Sequence, residues 1–304
     1  MKEEIRKTLK SEDTEEFIDI YFYRPIGYYM ALLAEKLRIT PNMITVASIF
    51  IGAFGAILFF YPSLKLNLIG MGLLILANSF DSADGQLARM TDNKTQLGRI
   101  LDGVAGNIWF VLIYLMLTFR VVNAGFCELN TLWIWAFGIF AGVSHILHAA
   151  TADYYRNIHL LFMSYGKNGE FDNSKQIIEK YKSLSWCKNF ISKVMMAFYR
   201  NYTVEQEFFT PNFQKFITKL DEKYPDRNYP AELCEEFRTK SKPLMKFTNI
   251  LQFNTRVLFL FFCLFINQPF FYFLFDLIVL NSIMVYMLCR HERMCKEMLS
   301  KYLC

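Results

Sequence analysis

The sequence is poor in the residues that staple small folds. Its seven cysteines are scattered, odd in number and never arranged as CxxC. That excludes a disulfide framework and a zinc-ribbon site, and leaves the thiols as small apolar packing residues. Histidine is scarce, at four residues. Only His145 and His148 stand close together, and no third ligand is spaced to make them a zinc site. Glycine and proline, at 14 and 8, follow no period, which excludes collagen-like and low-complexity chains. A leader pattern is missing too. The first forty residues carry eight acids and seven Lys/Arg with no apolar core. No internal repeat is present.

What is abundant is apolar. Hydrophobic residues make up 54% and aromatics 17% of the 304 residues, which excludes disorder. The apolar residues are gathered into blocks. Residues 43–61, 66–80, 103–119 and 129–151 carry no charge, and 257–275 and 277–289 are divided only by Asp276. A bilayer core of about 30 Å needs roughly 20 apolar helical residues. The blocks predict six spans, at 42–62, 66–90, 98–120, 129–152, 247–267 and 270–289. A soluble helical core does not repeat uncharged runs of span length.

Charge orients the spans. Alternate connections hold 30 of the 33 Lys/Arg, whereas Lys65 and Arg120 stand on the other side and Arg256 lies near a span. By the positive-inside rule both termini face the cytoplasm. The net charge of +5 is then a topology signal rather than a sign of nucleic-acid binding.

The expected architecture is an all-α membrane protein with six transmembrane helices. It has an N-terminal interfacial amphipathic helix and a cytoplasmic helical insertion between helices 4 and 5. The divisions are 1–40 (interfacial), 41–156 (spans 1–4), 157–246 (insertion), 247–290 (spans 5–6) and 291–304 (tail). Within 12–38, Phe17, Tyr21, Phe22, Ile26, Tyr29 and Leu33 alternate with charge, as in a helix lying along a membrane surface. The insertion predicts helices around 174–200, 205–223 and 231–246. Its aromatics at 208–216 read as core.

Chemistry gathers where the second span meets the third. Asp81, Asp84 and Ala88 share one helix face, and Gly98 and Asp102 share a face on the next helix. Acids at that depth are expensive and usually functional. Three carboxylates at one point need a positive partner, and hard oxygen ligands suit Mg²⁺ or Mn²⁺. Gly85, Ala88 and Gly98 leave room for a ligand, and Arg89 complements phosphate. The residues alone indicate metal-dependent phosphate chemistry at a membrane edge.

The run D-x-x-D-G-x-x-A-R over 81–89, followed by G-x-x-x-D over 98–102, resembles the signature of the CDP-alcohol phosphotransferase family. The segment 39–45, Ile-Thr-Pro-Asn-Met-Ile-Thr, resembles that family's entry to its first span. The resemblance covers about 15–155 and, more loosely, 247–292. It implies transfer of a substituted phosphate from a CDP-alcohol to a hydroxyl, with release of CMP, in phospholipid synthesis. The implied donor is CDP-diacylglycerol and the acceptor inositol phosphate, glycerol phosphate or serine. It further implies that Asp81, Asp84 and Asp102 hold a pair of divalent cations, Mg²⁺ or Mn²⁺. Asn42, Asp81, Gly85, Ala88, Arg89 and Gly98 would bind the nucleotide. The implied partners are a membrane lipid and a second copy of the chain, in a bacterial inner membrane with the site on the cytoplasmic side.

One position departs from the family. Its fourth Asp, metal ligand and base, falls here on Gly106, with Asn107 next. On a regular helix Gly106 lies about 40° and Asn107 about 140° from Asp102. Asn107 reaches the site only through a one-residue bulge. Either a substrate group or water serves as base, or donor binds with weak turnover, or Asn107 replaces an Asp to trap a complex. Two alternative functions stand beside the first: transfer of a CDP-linked head group to diacylglycerol or ceramide, and a non-catalytic CDP-alcohol-binding protein. A transporter would spread charge over several spans in inverted halves, which this sequence does not do.

Elsewhere, His145 and His148 read as buried side chains or as acceptor contacts. Asp276 reads as a partner of Arg256 or as lining a polar cavity. Gly138-x-x-x-Gly142 allows close packing within the chain or in a dimer.

Overall fold

A computed structural model describes residues 11, 13–92, 96–125, 130–167, 174–186 and 189–303. It is 85% helix, with no strand among those residues. After a π-helical segment at Asp19–Tyr23 come α1 (Arg24–Lys36), α2 (Pro41–Leu58), α3 (Leu64–Met90), α4 (Gln96–Ala124) and α5 (Thr131–Met163). The shorter α6 (Ser174–Ser183), α7 (Phe190–Phe208) and α8 (Pro211–Lys223) follow. The chain ends with α9 (Ala231–Ile250), α10 (Phe253–Phe265), α11 (Phe270–Leu274), a second π-helical segment (Phe275–Leu280) and α12 (Asn281–Tyr302).

Six stretches are long and apolar enough to cross a membrane: 41–58, 64–90, 100–124, 131–163, 231–265 and 270–302. These agree in number and order with the sequence reading. Three run well beyond what hydropathy alone indicates, the fifth by beginning at 231 rather than 247. The fourth helix continues past residue 152 to Met163, and the last past 289 to Tyr302. Backbone hydrogen bonding does not stop where the side chains turn polar, so an apolar window marks a span and not a helix end. Within the insertion, the helix expected over 174–200 is two helices, α6 ending at Ser183 and α7 beginning at Phe190. The next helix begins at Pro211 rather than 205, with the ring at the first turn, where no amide hydrogen is needed.

The chain forms two compact units. The first holds 1–146 and 256–278, the second 147–255 and 279–304. In the first, the helix entrances follow local chemistry. Thr40 is extended because it precedes Pro41, and Pro41 starts α2. Arg38, at φ +59°, closes α1 while the Ile39 amide bonds the Ala34 carbonyl at 2.9 Å. Packing is close where side chains are small. A Cβ at Gly52 would stand 2.5 Å from the ring of Trp109, so α2 accepts the indole of α4 in a notch. Gly138 abuts Thr118 and Gly142 lies against Tyr114, so this glycine pair is used within the chain. A dimer then rests on the family resemblance alone.

Two buried arginines tie the first unit together. The guanidinium of Arg120 donates to the Phe59 carbonyl (2.9 Å), Asn67 Oδ1 (3.2 Å) and Asn267 Oδ1 (2.6 Å). Arg256 pairs with Asp276 at 2.6 Å, and the Tyr114 hydroxyl donates to the same carboxylate. The alternative in which Asp276 pairs with Arg256 is the one observed.

The second unit has an aromatic core. Phe162 stacks on Phe237 at 3.8 Å, and Tyr155 on His291 at 4.0 Å. Phe213 and Phe216 are fully buried there, whereas Phe208 is exposed.

Candidate active site at the junction of α3 and α4

Asp81 and Asp84 close α3, and Asp102 lies in the second turn of α4. One carboxylate oxygen from each falls within 4.8 Å of the other two. Asp84 is buried, Asp81 half-buried and Asp102 exposed, so the cluster has a closed side and an open one. Three acids this close repel one another unless a cation or protons intervene. The donor set, all carboxylate oxygen, is the kind that hard divalent cations take.

The floor of the site is fixed from two directions. On α2, the Thr45 hydroxyl lies between the Pro41 carbonyl (3.1 Å) and the carboxylate of Asp84, to which it donates. Thr45 belongs to the motif at 39–45, but a threonine one turn inside an apolar helix gives no separate signal of that role. On the other side α1 lies against α3. A Cβ at Gly27 would stand 2.8 Å from Ser82 Oγ and 2.9 Å from Gln86 Nε2. Gln86 donates to the Arg24 carbonyl at 3.0 Å. Ala31, Ala34, Ile44, Ala83 and Leu87 fill the space between these helices. The alanines that allow this approach are therefore part of what holds Asp81 and Asp84 in place.

The other expected residues fall as follows. A Cβ at Gly85 would meet the Arg89 guanidinium at 3.5 Å, so that group folds back over Gly85. Ala88 and Gly98 are half-buried. Asn42 lies one turn before Thr45 and, with Met43, Val46 and Ala47, lines a shallow groove of about 400 Å³. Asn107 is turned away from the cluster. Its Nδ2 donates to the Gly103 carbonyl at 2.8 Å, and α4 is α-helical from end to end, without the bulge that would swing residue 107 inward. Gly103 and Gly106 open onto free space, since a Cβ at either meets no heavy atom within 4 Å.

His145 stacks on Phe110 at 4.1 Å, one turn along from Gly106 on α4. In the second unit, His148 Nε2 is 2.9 Å from Asn281 Oδ1. A further cluster, His291, Glu292 and Cys295, also brings ligand atoms within 4.8 Å. Its Glu292 carboxylate already accepts the amides of Asn212 (2.6 Å) and Phe213 (3.3 Å) at the start of α8, a helix-capping role.

Residues 38–164 match the CDP-alcohol phosphatidyltransferase family, which covers α2 to α5 and all three aspartates. That stretch is a CDP-alcohol phosphatidyltransferase domain. No curated protein matches the chain. The family's reaction is transfer of a phosphatidyl group from a CDP-alcohol to an alcohol acceptor, a phosphotransferase chemistry of membrane phospholipid synthesis that in general depends on divalent metal. With its apolar helices, the domain makes this an integral membrane protein.

Proposed function

We propose that the protein transfers the phosphatidyl group of CDP-diacylglycerol to a small polar alcohol, such as inositol phosphate, glycerol phosphate or serine, and releases CMP. The observation that carries this reading is the convergence of Asp81, Asp84 and Asp102 within the family domain. A nucleotide diphosphate brings negative charge to three carboxylates, and only bound cations make that favourable. Asp81, Asp84 and Asp102 would hold a pair of divalent cations, Mg²⁺ or Mn²⁺. When bound, such ions neutralise the diphosphate, polarise the attacked phosphorus and stabilise the departing CMP.

The chain's own residues orient the reaction. Thr45 holds Asp84 by its hydroxyl. Gly85, Ala88 and Gly98 keep the nucleotide's ground clear, and Arg89, with Asn42 nearby, binds donor phosphate. The acceptor oxygen bonds to the phosphatidyl phosphorus as that phosphorus parts from the bridging oxygen of CMP. The acceptor's proton must leave as that bond forms. Gly106 supplies no carboxylate, Asn107 is engaged with Gly103 and Asp102 is committed to the cations, so a substrate group or water takes that proton at the open ground above Gly106. The groove beside Asn42 is apolar beyond its first residue, which suits an acyl chain. Basic residues in alternate connections support cytoplasmic termini and a cytoplasmic site.

Acceptor-dependent CMP release in lipid nanodiscs, with Mg²⁺ or Mn²⁺ and CDP-diacylglycerol, tests the reading. It is expected with at least one alcohol of the panel and is lost with EDTA. Asp81→Asn, Asp84→Asn and Asp102→Asn should each lower it by about 10²–10³-fold. The open Gly106 favours one alternative, a protein that binds donor without turnover. Metal-dependent CDP-diacylglycerol binding with no CMP release from any acceptor, including diacylglycerol and ceramide offered CDP-linked head groups, would replace the first reading with that one.

A further inference from the structure

The second unit carries, on α12, a set of side chains that the proposed reaction does not use. His291 and Cys295 lie one turn apart on the same helix face, and Glu292 follows His291. His291 and Cys295 are buried, and the Glu292 side chain is 13% exposed. One ligand atom from each falls within 4.8 Å of the other two. His291 Nδ1 stands 3.6 Å from Cys295 Sγ and 3.9 Å from Glu292 Oε1. The second distance is too long for a hydrogen bond. A tetrahedral zinc ion holds nitrogen and sulfur ligands about 3.6 Å apart, and nitrogen and oxygen ligands about 3.4 Å apart. The first separation is already met, and the second needs a slight closing of Glu292.

The surroundings point to an ion rather than to packing alone. Tyr155, 1% exposed, stacks on His291 at 4.0 Å, and its buried hydroxyl has no hydrogen-bond partner among the described residues. Buried hydroxyls are normally paired. The ionisable groups that act on this one most strongly are Glu292 and then Cys295, so it stands beside the same ligand set. Glu292 is itself held in place. Its Oε2 accepts the Asn212 amide at 2.6 Å and its Oε1 the Phe213 amide at 3.3 Å, the kind of support that metal-ligating carboxylates receive. Charge balances as well. A thiolate and a carboxylate neutralise a divalent cation while His291 stays neutral, so no net charge is buried. Thiolate with imidazole selects zinc, whereas the all-carboxylate set at Asp81, Asp84 and Asp102 suits Mg²⁺ or Mn²⁺. We propose that His291 Nδ1, Cys295 Sγ and Glu292 Oε1 bind a zinc ion, that the Tyr155 hydroxyl completes its shell, and that the ion clamps α12 to Tyr155 and to the start of α8. The Cys295 thiol gives its proton to solvent as the sulfur bonds the ion.

The full-length protein in nanodiscs, loaded with Co²⁺ as a spectroscopic stand-in for zinc, tests this by its absorption. Carboxylates alone give no thiolate-to-cobalt charge-transfer band, so the signal is separate from any ion at Asp81, Asp84 and Asp102. The band is expected in the unmodified chain and is displaced by added Zn²⁺. It should be lost in Cys295→Ser and kept in Cys289→Ser, whose thiol is exposed on the same helix. X-ray absorption at the zinc edge of the unmodified, zinc-loaded chain needs no variant to fold, and should show a sulfur and an imidazole nitrogen on the ion. A band that survives in Cys295→Ser, a band that disappears in Cys289→Ser, or no band at all would each overturn the proposal. So would a zinc shell without sulfur.

Discussion

Arg256 and Asp276 are joined across 2.6 Å with both side chains fully removed from the surface. Two charges at that depth stabilise little in net terms, because desolvation offsets their attraction. Removing one of them strands the other, at a cost of about 3–5 kcal/mol. Arg256→Met should therefore sharply lower the melting temperature in detergent. Asp276→Asn should cost at least as much, because the amide keeps the Tyr114 bond but leaves the buried guanidinium without a counter-charge. The double variant Arg256→Met, Asp276→Leu should recover most of the loss. If the double variant melts no higher than Arg256→Met alone, the pair is not an isolated couple and Tyr114 or Tyr272 takes part of its energy.

The notch at Gly52 makes a second stability prediction. A methyl placed there would stand 2.5 Å from Trp109, a ring that is itself buried. Gly52→Ala gains helix propensity of about 1 kcal/mol but must displace the indole. Overpacking of this kind costs about 1–3 kcal/mol. The net expectation is a lower melting temperature, and Trp109→Phe in the same background should restore part of it. Gly72→Ala is the matched control: its Cβ meets nothing within 4 Å, so only the propensity gain remains.

The parts of this molecule that were legible in the sequence are those written in short range. Six uncharged runs mark six spans, and the spacing of Asp81, Asp84 and Asp102 puts the three acids at one junction. The pairing of Arg256 with Asp276 was one of two readings, because a charge inside a span demands a partner and few were available. What sequence could not supply depends on which helices meet. Nothing local to Thr45 points to Asp84, 39 residues away. Gly27 looks like any helical glycine until α3 lies across it. Gly138 and Gly142 read equally well as a dimer seam until Thr118 and Tyr114 fill them. α6 ends at Ser183 and α7 begins at Phe190 within a stretch whose periodicity alone gives no stop, and Lys193 bonds the Leu184 carbonyl just after the end of α6.

Thr45 gives a prediction that separates positioning from packing. Thr45→Val keeps the shape and removes the hydroxyl that Asp84 accepts from. A hydrogen bond to a charged group contributes about 1.5–3 kcal/mol. If that bond aims Asp84 at a cation, Thr45→Val should raise the metal concentration needed for half-maximal CMP release about tenfold or more. Thr45→Ser should restore it. An impaired Thr45→Ser beside an unimpaired Thr45→Val would show that the methyl group, rather than the hydroxyl, is what the site requires.

Gly106 and Asn107 allow a test in which neighbouring positions give opposite answers. Gly106 lies one turn after Asp102, and a side chain there enters free space. Gly106→Asp gains a few tenths of a kcal/mol in helix propensity and loses about as much to repulsion from Asp102, so the fold should be nearly indifferent to it. A second carboxylate at the open ground should raise CMP release, by up to about 10²-fold if proton removal limits the reaction. Asn107→Asp should not do so. Its side chain is turned to the Gly103 carbonyl, and replacing the donating amide with a carboxylate costs about 1–3 kcal/mol of stability with no gain in rate. A rise in rate with Asn107→Asp and none with Gly106→Asp would mean that α4 bulges on binding substrate. A fall in rate with Gly106→Asp, at unchanged stability and with a raised KM for the acceptor alone, would mean that the space over Gly106 is where the acceptor sits.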